Sequence, residues 1–170
     1  MISVLTQRAL KFVAIQAVRT RTRFLGRRVP DPTIPYFAFG ANLEPRRFEK
    51  YGMNVRRVGV ARLPGYRFAF SLPCEYAGKG FGSIEPNLGS EVWGVLYKVD
   101  WLSLFLLDVM EWAVMGQYRR VPVEGIDVVG NQVAAFAYRA RYPRFDLVPS
   151  NRYKTLVVDA GRQLGFPSTY

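Results

Sequence analysis

Asp108 and Glu111 stand three residues apart in LLDVMEWAVMGQY, a spacing that places both carboxylates on one side of a helix. Leu104, Leu107 and Met110 supply the apolar side of that helix, and Trp112 lies beside them. Glu111 falls among these residues at the helix end, shortly before Gly116. Poor solvation raises a carboxyl's affinity for its proton, as a base and acid working near neutral pH requires. The competing reading is that both acids face water as ordinary helix-surface charges. The chain has no histidine, which excludes Ser-His-Asp catalysis, histidine-ligated zinc and imidazole acid–base chemistry. A general base here must be a carboxylate, a lysine, a tyrosine or a terminus. A single cysteine, Cys74, excludes an internal disulfide and a cysteine-rich metal cluster, and implies a reducing compartment or indifference to redox; a cytoplasmic setting is expected.

A second stretch with chemical potential is IPYFAFGANLEPRRF, residues 34–48. Tyr36, Phe37, Ala38 and Phe39 read as a buried strand, and Gly40 lets the backbone turn without a Cβ clash. Asn42 is expected to cap a helix beginning near Leu43, with Pro45 in its first turn, where a missing N–H costs nothing. The N–H groups from Gly40 through Ala41 and Asn42 to Leu43 would then converge on one spot and favour a carboxylate or phosphate. Many strand-to-helix corners look alike and bind nothing, so that reading stays open too. The corner lacks the glycine spacing and the lysine of a nucleotide-binding loop.

The elements that must position these residues follow from pattern. VRRVGVARLPGYRFAFS is strand, broken at Pro64-Gly65, and GFGSIEP and SEVWGVLYKVD are strands flanking NLG as a hairpin connection. WLSLFLLDVMEWA is a helix with Asp100 as N-cap. QYRRVPVEGIDV and QVAAFAYRA form a second strand pair. SNRYKTLVVDAGRQLG is a closing helix, with Ser150 or Asn151 as cap and Gly165 just past its end. The sum is a mixed α/β (α+β) domain on a small barrel-like or strongly curved sheet. A chain of 170 residues that is 49% hydrophobic is long enough for one such domain with a sizeable core.

The formal charge of +11 is uneven: residues 1–30 hold seven basic residues and no acid. A nucleic-acid binder more often spreads its charge over a folded face, so no nucleic-acid partner is expected. The segment favours a basic helix, with Arg8, Lys11, Arg19 and Arg23 on one side and Leu10, Val13 and Ala17 opposite. It is too short in apolar residues to span a bilayer. Three readings stay open: a helix docked on the domain or a partner, peripheral contact with anionic lipid, and an organelle presequence. RRVPDPTIP reads as a linker, which divides the chain into an arm at residues 1–30 and a domain at residues 33–170.

YFAFGANL, residues 36–43, resembles the Tyr-Phe-Ala-Tyr-Gly-Ser-Asn-Leu signature of the gamma-glutamylcyclotransferases. GSEVWGVLYKV is similar to that family's second conserved strand, and LDVMEWAVMGQY resembles its helix-to-strand segment. AFAYRA and NRYKTLVVDAGRQLG resemble its closing strand and last helix. The likeness runs in the family's order from about residue 34 to 165. It implies a small barrel-like fold, no metal or organic cofactor, and a small γ-glutamyl substrate. The implied reaction is attack of the substrate's own α-amine on its γ-carbonyl, which gives 5-oxoproline and a released amine or amino acid. Glu111 matches the family's catalytic glutamate, acting as base and then acid. The residue 39–43 corner matches the segment that holds the α-carboxylate. Tyr118, Tyr138 and Tyr153 match tyrosines lining the cavity, although amphipathic core packing accounts for such residues equally well.

Phe39 and Ala41 stand where many relatives carry Tyr and Ser, so two hydroxyls are missing from the corner. Each absent hydrogen bond is worth about 0.5–1.5 kcal/mol, enough to shift substrate preference before it abolishes chemistry. The glutathione-specific relatives show a Gly-Tyr-Gly-Ser-Leu type of first motif, which FAFGANL does not match. The remaining alternatives are an enzyme for a γ-glutamyl-amine or a biosynthetic γ-glutamyl intermediate, and a non-catalytic binder docked by its basic arm.

Overall fold

In the computed structural model, which describes residues 9–17, 20, 31–74 and 76–168, five strands close into a barrel. They are β1 (Ile34–Ala38), β2 (Val55–Pro73), β3 (Gly80–Val99), β4 (Tyr118–Asp127) and β5 (Gln132–Ala140), in the spatial order β1-β3-β2-β4-β5. Neighbouring strands run antiparallel except at the seam, where β1 meets β5 in parallel with Tyr36 opposite Phe136. Helix α1 is described over residues 9–17. After it come α2 (Arg46–Lys50), α3 (Trp101–Met110) and α4 (Asn151–Gln163), with 3-10 turns at Gly40–Leu43 and Ala113–Met115.

Alternation along β1 divides the core in two. Phe37 joins Ala61, Leu63, Ile84, Val92, Leu96, Val123 and Ala137, one or more residues from each of the five strands and none from a helix. That set fills the barrel interior. Tyr36 and Ala38 point the other way, into a cluster shared with Leu102, Leu106 and Leu107 of α3 and with Leu43 and Phe48. Leu106 and Leu107 are fully buried there, and each such burial contributes about 1.5–3 kcal/mol. Asp100 caps α3 as its sequence predicts, accepting a hydrogen bond from the Ser103 N–H at 2.7 Å.

Several local expectations meet a different outcome. Pro64-Gly65 does not break β2, and Asn87-Leu88-Gly89 is not a hairpin connection. Both sit inside long strands that pair with each other, at one shared irregularity: Pro64 lies opposite Glu91 and Tyr66 opposite Pro86. One residue of β2 thus faces four of β3, and Leu88 is pushed out to 95% exposure. Turn-forming residues produced a paired bulge because the flanking stretches on both sides continue the same ladder. The true hairpin turn lies between Pro73 and Gly80, with the Cys74 N–H bonded to the Lys79 carbonyl.

Helix α1 touches the domain through Ala14, which is 2% exposed and lies in the helix-side cluster, with Ile15 packed against it. Lys11, one turn earlier, places its ammonium 5.0 Å from the centre of the Tyr51 ring. The docked face is therefore the one carrying Lys11, Ala14 and Ile15. The expected apolar face of Leu10, Val13 and Ala17 points outward. Arg8, Arg19 and Arg23, the rest of the expected basic face, lie outside the described residues.

Barrel closure depends on backbone contact at Gly94 of β3. A Cβ built there would lie 2.4 Å from the Ala38 carbonyl oxygen and 2.5 Å from Cζ of Phe37. Gly94→Ala should cost about 1–3 kcal/mol by overpacking, lowering the thermal midpoint by about 2–4 °C per kcal/mol. An unchanged melting curve would show that β1 can retreat from β3.

Candidate functional site

Helix α3 ends where its chemistry begins. Glu111 is the residue that closes the helix, its N–H bonded to the Leu107 carbonyl at 2.8 Å. The next residue, Trp112, adopts φ 55° and ψ 26°, a left-handed conformation that costs a non-glycine roughly 1–2 kcal/mol. Among the described residues it is the one non-glycine with positive φ. This turn ends the helix abruptly and leaves the Glu111 carboxyl facing the corner after β1.

That corner is built from Phe39, in extended conformation, and Gly40 at φ 63°. Gly40 is required twice over, since a Cβ would also meet the Tyr153 hydroxyl at 3.0 Å. The chain then winds one 3-10 turn, Gly40–Leu43. Asn42 does not cap the following helix. Its buried amide Nδ2 donates to Glu111 Oε1 at 2.8 Å and to the Tyr36 hydroxyl at 2.7 Å. Helix α2 starts only at Arg46, with Pro45 in the cap position and no side-chain cap. A residue three positions too early for a cap, with its side chain buried, spends its two hydrogens across the fold instead.

The other predicted site residues divide by what they touch. Tyr153 reaches the corner: its hydroxyl accepts the Gly82 N–H at 3.2 Å and lies 3.0 Å from where a Cβ of Gly40 would stand. Tyr118 donates to the Gly82 carbonyl at 2.6 Å, so two tyrosines hold the two backbone groups of one residue of β3. Tyr138 turns instead to Asp108, donating at 2.8 Å, and Arg120 lies 3.4 Å from the same oxygen. Asp108, its side chain 16% exposed, thus pins α3 to β4 and β5 and is no free surface charge. Phe37 packs inside the barrel, while Ala38 and Leu43 pack on the helix side. Phe39 lies edge-on to Phe68 with ring centres 6.1 Å apart. These four shape the corner without presenting a side-chain polar group to it.

Electrostatics single out one titrating group. Burial raises the Glu111 pKa above the ordinary carboxylate value, opposed by the Asn42 hydrogen bond and the positive charges of Arg47 and Lys11. Burial pushes the Tyr153 hydroxyl up to about 12 and the Tyr36 and Tyr118 hydroxyls well above their ordinary value. The tyrosines therefore remain neutral hydrogen-bonding groups near pH 7, and the carboxyl is the group poised to exchange a proton. Among the described residues, no group of three or more acidic or cysteine side chains could hold a metal ion. Sequence reasoning missed Arg47, which sits in RRFEK and reads as a surface charge on a short helix. It also missed Gly82, whose two backbone groups meet Tyr118 and Tyr153.

Residues 91–170 match the model of the AIG2-like family, a span that includes Glu111, Tyr118, Tyr138 and Tyr153 and begins after the residue 36–43 corner. The chain is 29% identical over 140 residues to the gamma-glutamylcyclotransferase of Bos taurus, covering 79% of this chain and 73% of that one. To the gamma-glutamylcyclotransferase of Homo sapiens it is 28% identical over 143 residues, with the same coverage of 79% and 73%. A solved gamma-glutamyl cyclotransferase structure aligns with a TM-score of 0.73 at 26% identity, covering 81% of this chain and 83% of the other. The five-stranded barrel with its helices is the fold of that structure.

The raised Glu111 pKa has a consequence for stability. A carboxyl whose folded pKa exceeds its unfolded value stabilises the fold while protonated, and that contribution is lost as pH rises through the window between the two. Glu111→Gln removes the ionisation and keeps an acceptor for Asn42. It should therefore melt higher than the native chain at pH 7.5, by about 2–4 °C per kcal/mol gained, with the difference shrinking below the ordinary carboxylate pKa. Calorimetry at both pH values checks this, and a lower midpoint for the variant at pH 7.5 would contradict it.

Proposed function

We propose that this chain, an enzyme of the gamma-glutamylcyclotransferase type, converts a γ-glutamyl amide into 5-oxoproline with Glu111 as its single base and acid. The observation that carries the reading is the placement of Glu111: a carboxyl with raised proton affinity, held at 2.8 Å by an asparagine of the corner after β1. Its carboxylate takes a proton from the substrate's α-ammonium. The freed amine attacks the γ-carbonyl carbon, and a five-membered ring forms through a tetrahedral intermediate. The Glu111 carboxylic acid then gives its proton to the departing nitrogen as the original amide bond breaks. The regenerated carboxylate then takes the second proton from the ring nitrogen and passes it to the released amine, which departs as an ammonium, so one carboxyl serves both transfers.

Both reacting groups belong to one molecule, so the protein's main task is to hold the chain folded for ring closure, where orientation alone is worth several orders of magnitude. The buried tyrosine hydroxyls stay protonated and furnish a polar lining around the reacting atoms. The Tyr153 hydroxyl, already bonded by the Gly82 N–H and lying against Gly40, occupies the position from which the corner's amides would meet a substrate oxygen. Substrate entry on this reading requires that hydroxyl to share or yield its donors. γ-Glutamyl-amino acids, γ-glutamyl-amines and glutathione all carry the acyl group this geometry suits.

The arm is proposed to make peripheral contact with anionic lipid, supported by Phe12 and Val13, which α1 leaves 62% and 64% exposed, beside the basic residues of the segment. Among the described residues no helix is long and apolar enough to cross a membrane. Replacing both residues, Phe12→Asp and Val13→Asp, should weaken pelleting with anionic liposomes and leave pelleting with neutral liposomes unaltered. Equal pelleting of native and substituted chains excludes this contact.

Incubation with a panel of γ-glutamyl-amino acids, γ-glutamyl-amines and glutathione should release 5-oxoproline. Glu111→Gln should reduce kcat by about 10²–10⁴, the usual worth of a general acid–base group. Folded native protein that releases nothing across the panel would instead be a binder on this scaffold.

A further inference from the structure

Two polar side-chain atoms near Glu111 are buried with no hydrogen-bond partner, Oδ1 of Asn42 and Nε of Arg47. Such atoms are rare in folded proteins, and each calls for a reason. Asn42 has none of its donor capacity left, because Nδ2 serves Tyr36 and Glu111. Those two bonds fix the amide's orientation and leave Oδ1 as an acceptor with nothing to accept. Arg47 lies in the first turn of α2, its main-chain N–H bonded to the Glu44 carbonyl at 3.1 Å. Its positive charge bears on Glu111, Tyr36 and Tyr153 together, and its Nε is buried. Among the described residues it has no salt-bridge partner.

An orphaned acceptor next to a carboxylate, and an orphaned cationic donor on the same corner, make a complementary pair. The first suits a cation with several N–H groups and the second suits a carboxylate. We propose that together they hold the head group of the substrate, its α-ammonium on Asn42 Oδ1 and Glu111 and its α-carboxylate on Arg47. Arg47 is thereby a specificity-determining residue. The site takes γ-linked glutamyl compounds whose α-amine and α-carboxylate are both unblocked, and rejects those whose α-carboxyl is an amide. The rejection has a physical cause: a carboxamide keeps one acceptor oxygen but lacks the negative charge and the second oxygen that match a guanidinium, and turns N–H groups toward it instead. The corner thus gains back a carboxylate donor where Phe39 and Ala41 provide no hydroxyl.

This inference deepens the cyclisation reading in its account of the ammonium, whereas the Arg47 contact can be measured without turnover. The experiment is titration of L-5-oxoproline and of its carboxamide, followed by NMR, into the native chain, Arg47→Gln and Arg47→Lys. Circular dichroism melts confirm that each variant is folded. The native chain should bind the carboxylate roughly tenfold or more tighter than the carboxamide, the scale of a charge-assisted hydrogen bond. Arg47→Gln should erase most of that preference, and Arg47→Lys should retain part of it. On a γ-glutamyl substrate Arg47→Gln should raise KM far more than it lowers kcat, the opposite of Glu111→Gln. Equal binding of the two ligands to the native chain, an undiminished preference in Arg47→Gln, or no binding of 5-oxoproline at all overturns the inference. Selective binding of the carboxylate without release of 5-oxoproline from any γ-glutamyl compound leaves Arg47 its role and removes the catalytic reading.

Discussion

One amide group organises the site. Nδ2 of Asn42 bridges the Tyr36 hydroxyl and the Glu111 carboxylate, joining β1, the turn after it and the end of α3 at one point. Each partner limits the others. Tyr36 is fixed by its place between β3 and β5 in the barrel wall, Asn42 by the 3-10 turn that Gly40 permits, and Glu111 by the abrupt stop of its helix. A buried carboxylate needs a donor to remain ionised at all. This donor also opposes the rise in proton affinity that burial imposes. Too little opposition would leave a permanently neutral acid, and too much would leave a permanent carboxylate.

Around that bridge the protein distributes its supports unevenly. Asp108, the acid that shares Glu111's helix face, contacts Tyr138 and Arg120 and so fastens α3 to the sheet. A second buried acid, Glu85, accepts hydrogen bonds from Ser71 and Ser83 on Oε1 and from Nε and one terminal nitrogen of Arg139 on Oε2. Its Ser83 also accepts the Ala140 N–H at 3.0 Å, tying β3 to β5 near the Gly82 peptide that Tyr118 and Tyr153 hold. These two acids are paired with arginines, whereas among the described residues Glu111 has no cation within ion-pair distance.

What the sequence revealed followed the reach of each signal. The α3 cap at Asp100, the α4 cap at Ser150 and the left-handed Gly165 past its end were legible because a cap acts within a few residues. The β4–β5 pair was legible for the same reason. Glu111 stood out through its apolar neighbours and through likeness to a known signature. The continuity of β2 and β3 was not legible, because Pro64-Gly65 and Asn87-Leu88-Gly89 carry genuine turn chemistry and only their mutual opposition turns it into a bulge. Asn42 was misread as a cap, since its partners lie six residues back and 69 residues ahead. Arg47 was invisible for a related reason: an arginine in a polar stretch gives no local sign of which way its guanidinium turns.

The seam between β1 and β5 carries a consequence for the order of assembly. Tyr36, the residue on which Asn42 leans, is paired across that seam with Phe136, a partner one hundred positions further along the chain. During synthesis the first strand leaves the ribosome long before its neighbour exists, and contacts at such separation are slow to form. The nascent chain can therefore build the β2–β3 ribbon and helix α3 while the corner after β1 still lacks one wall. The walls of the corner are complete only when β5, and then α4 with its Tyr153, have joined them.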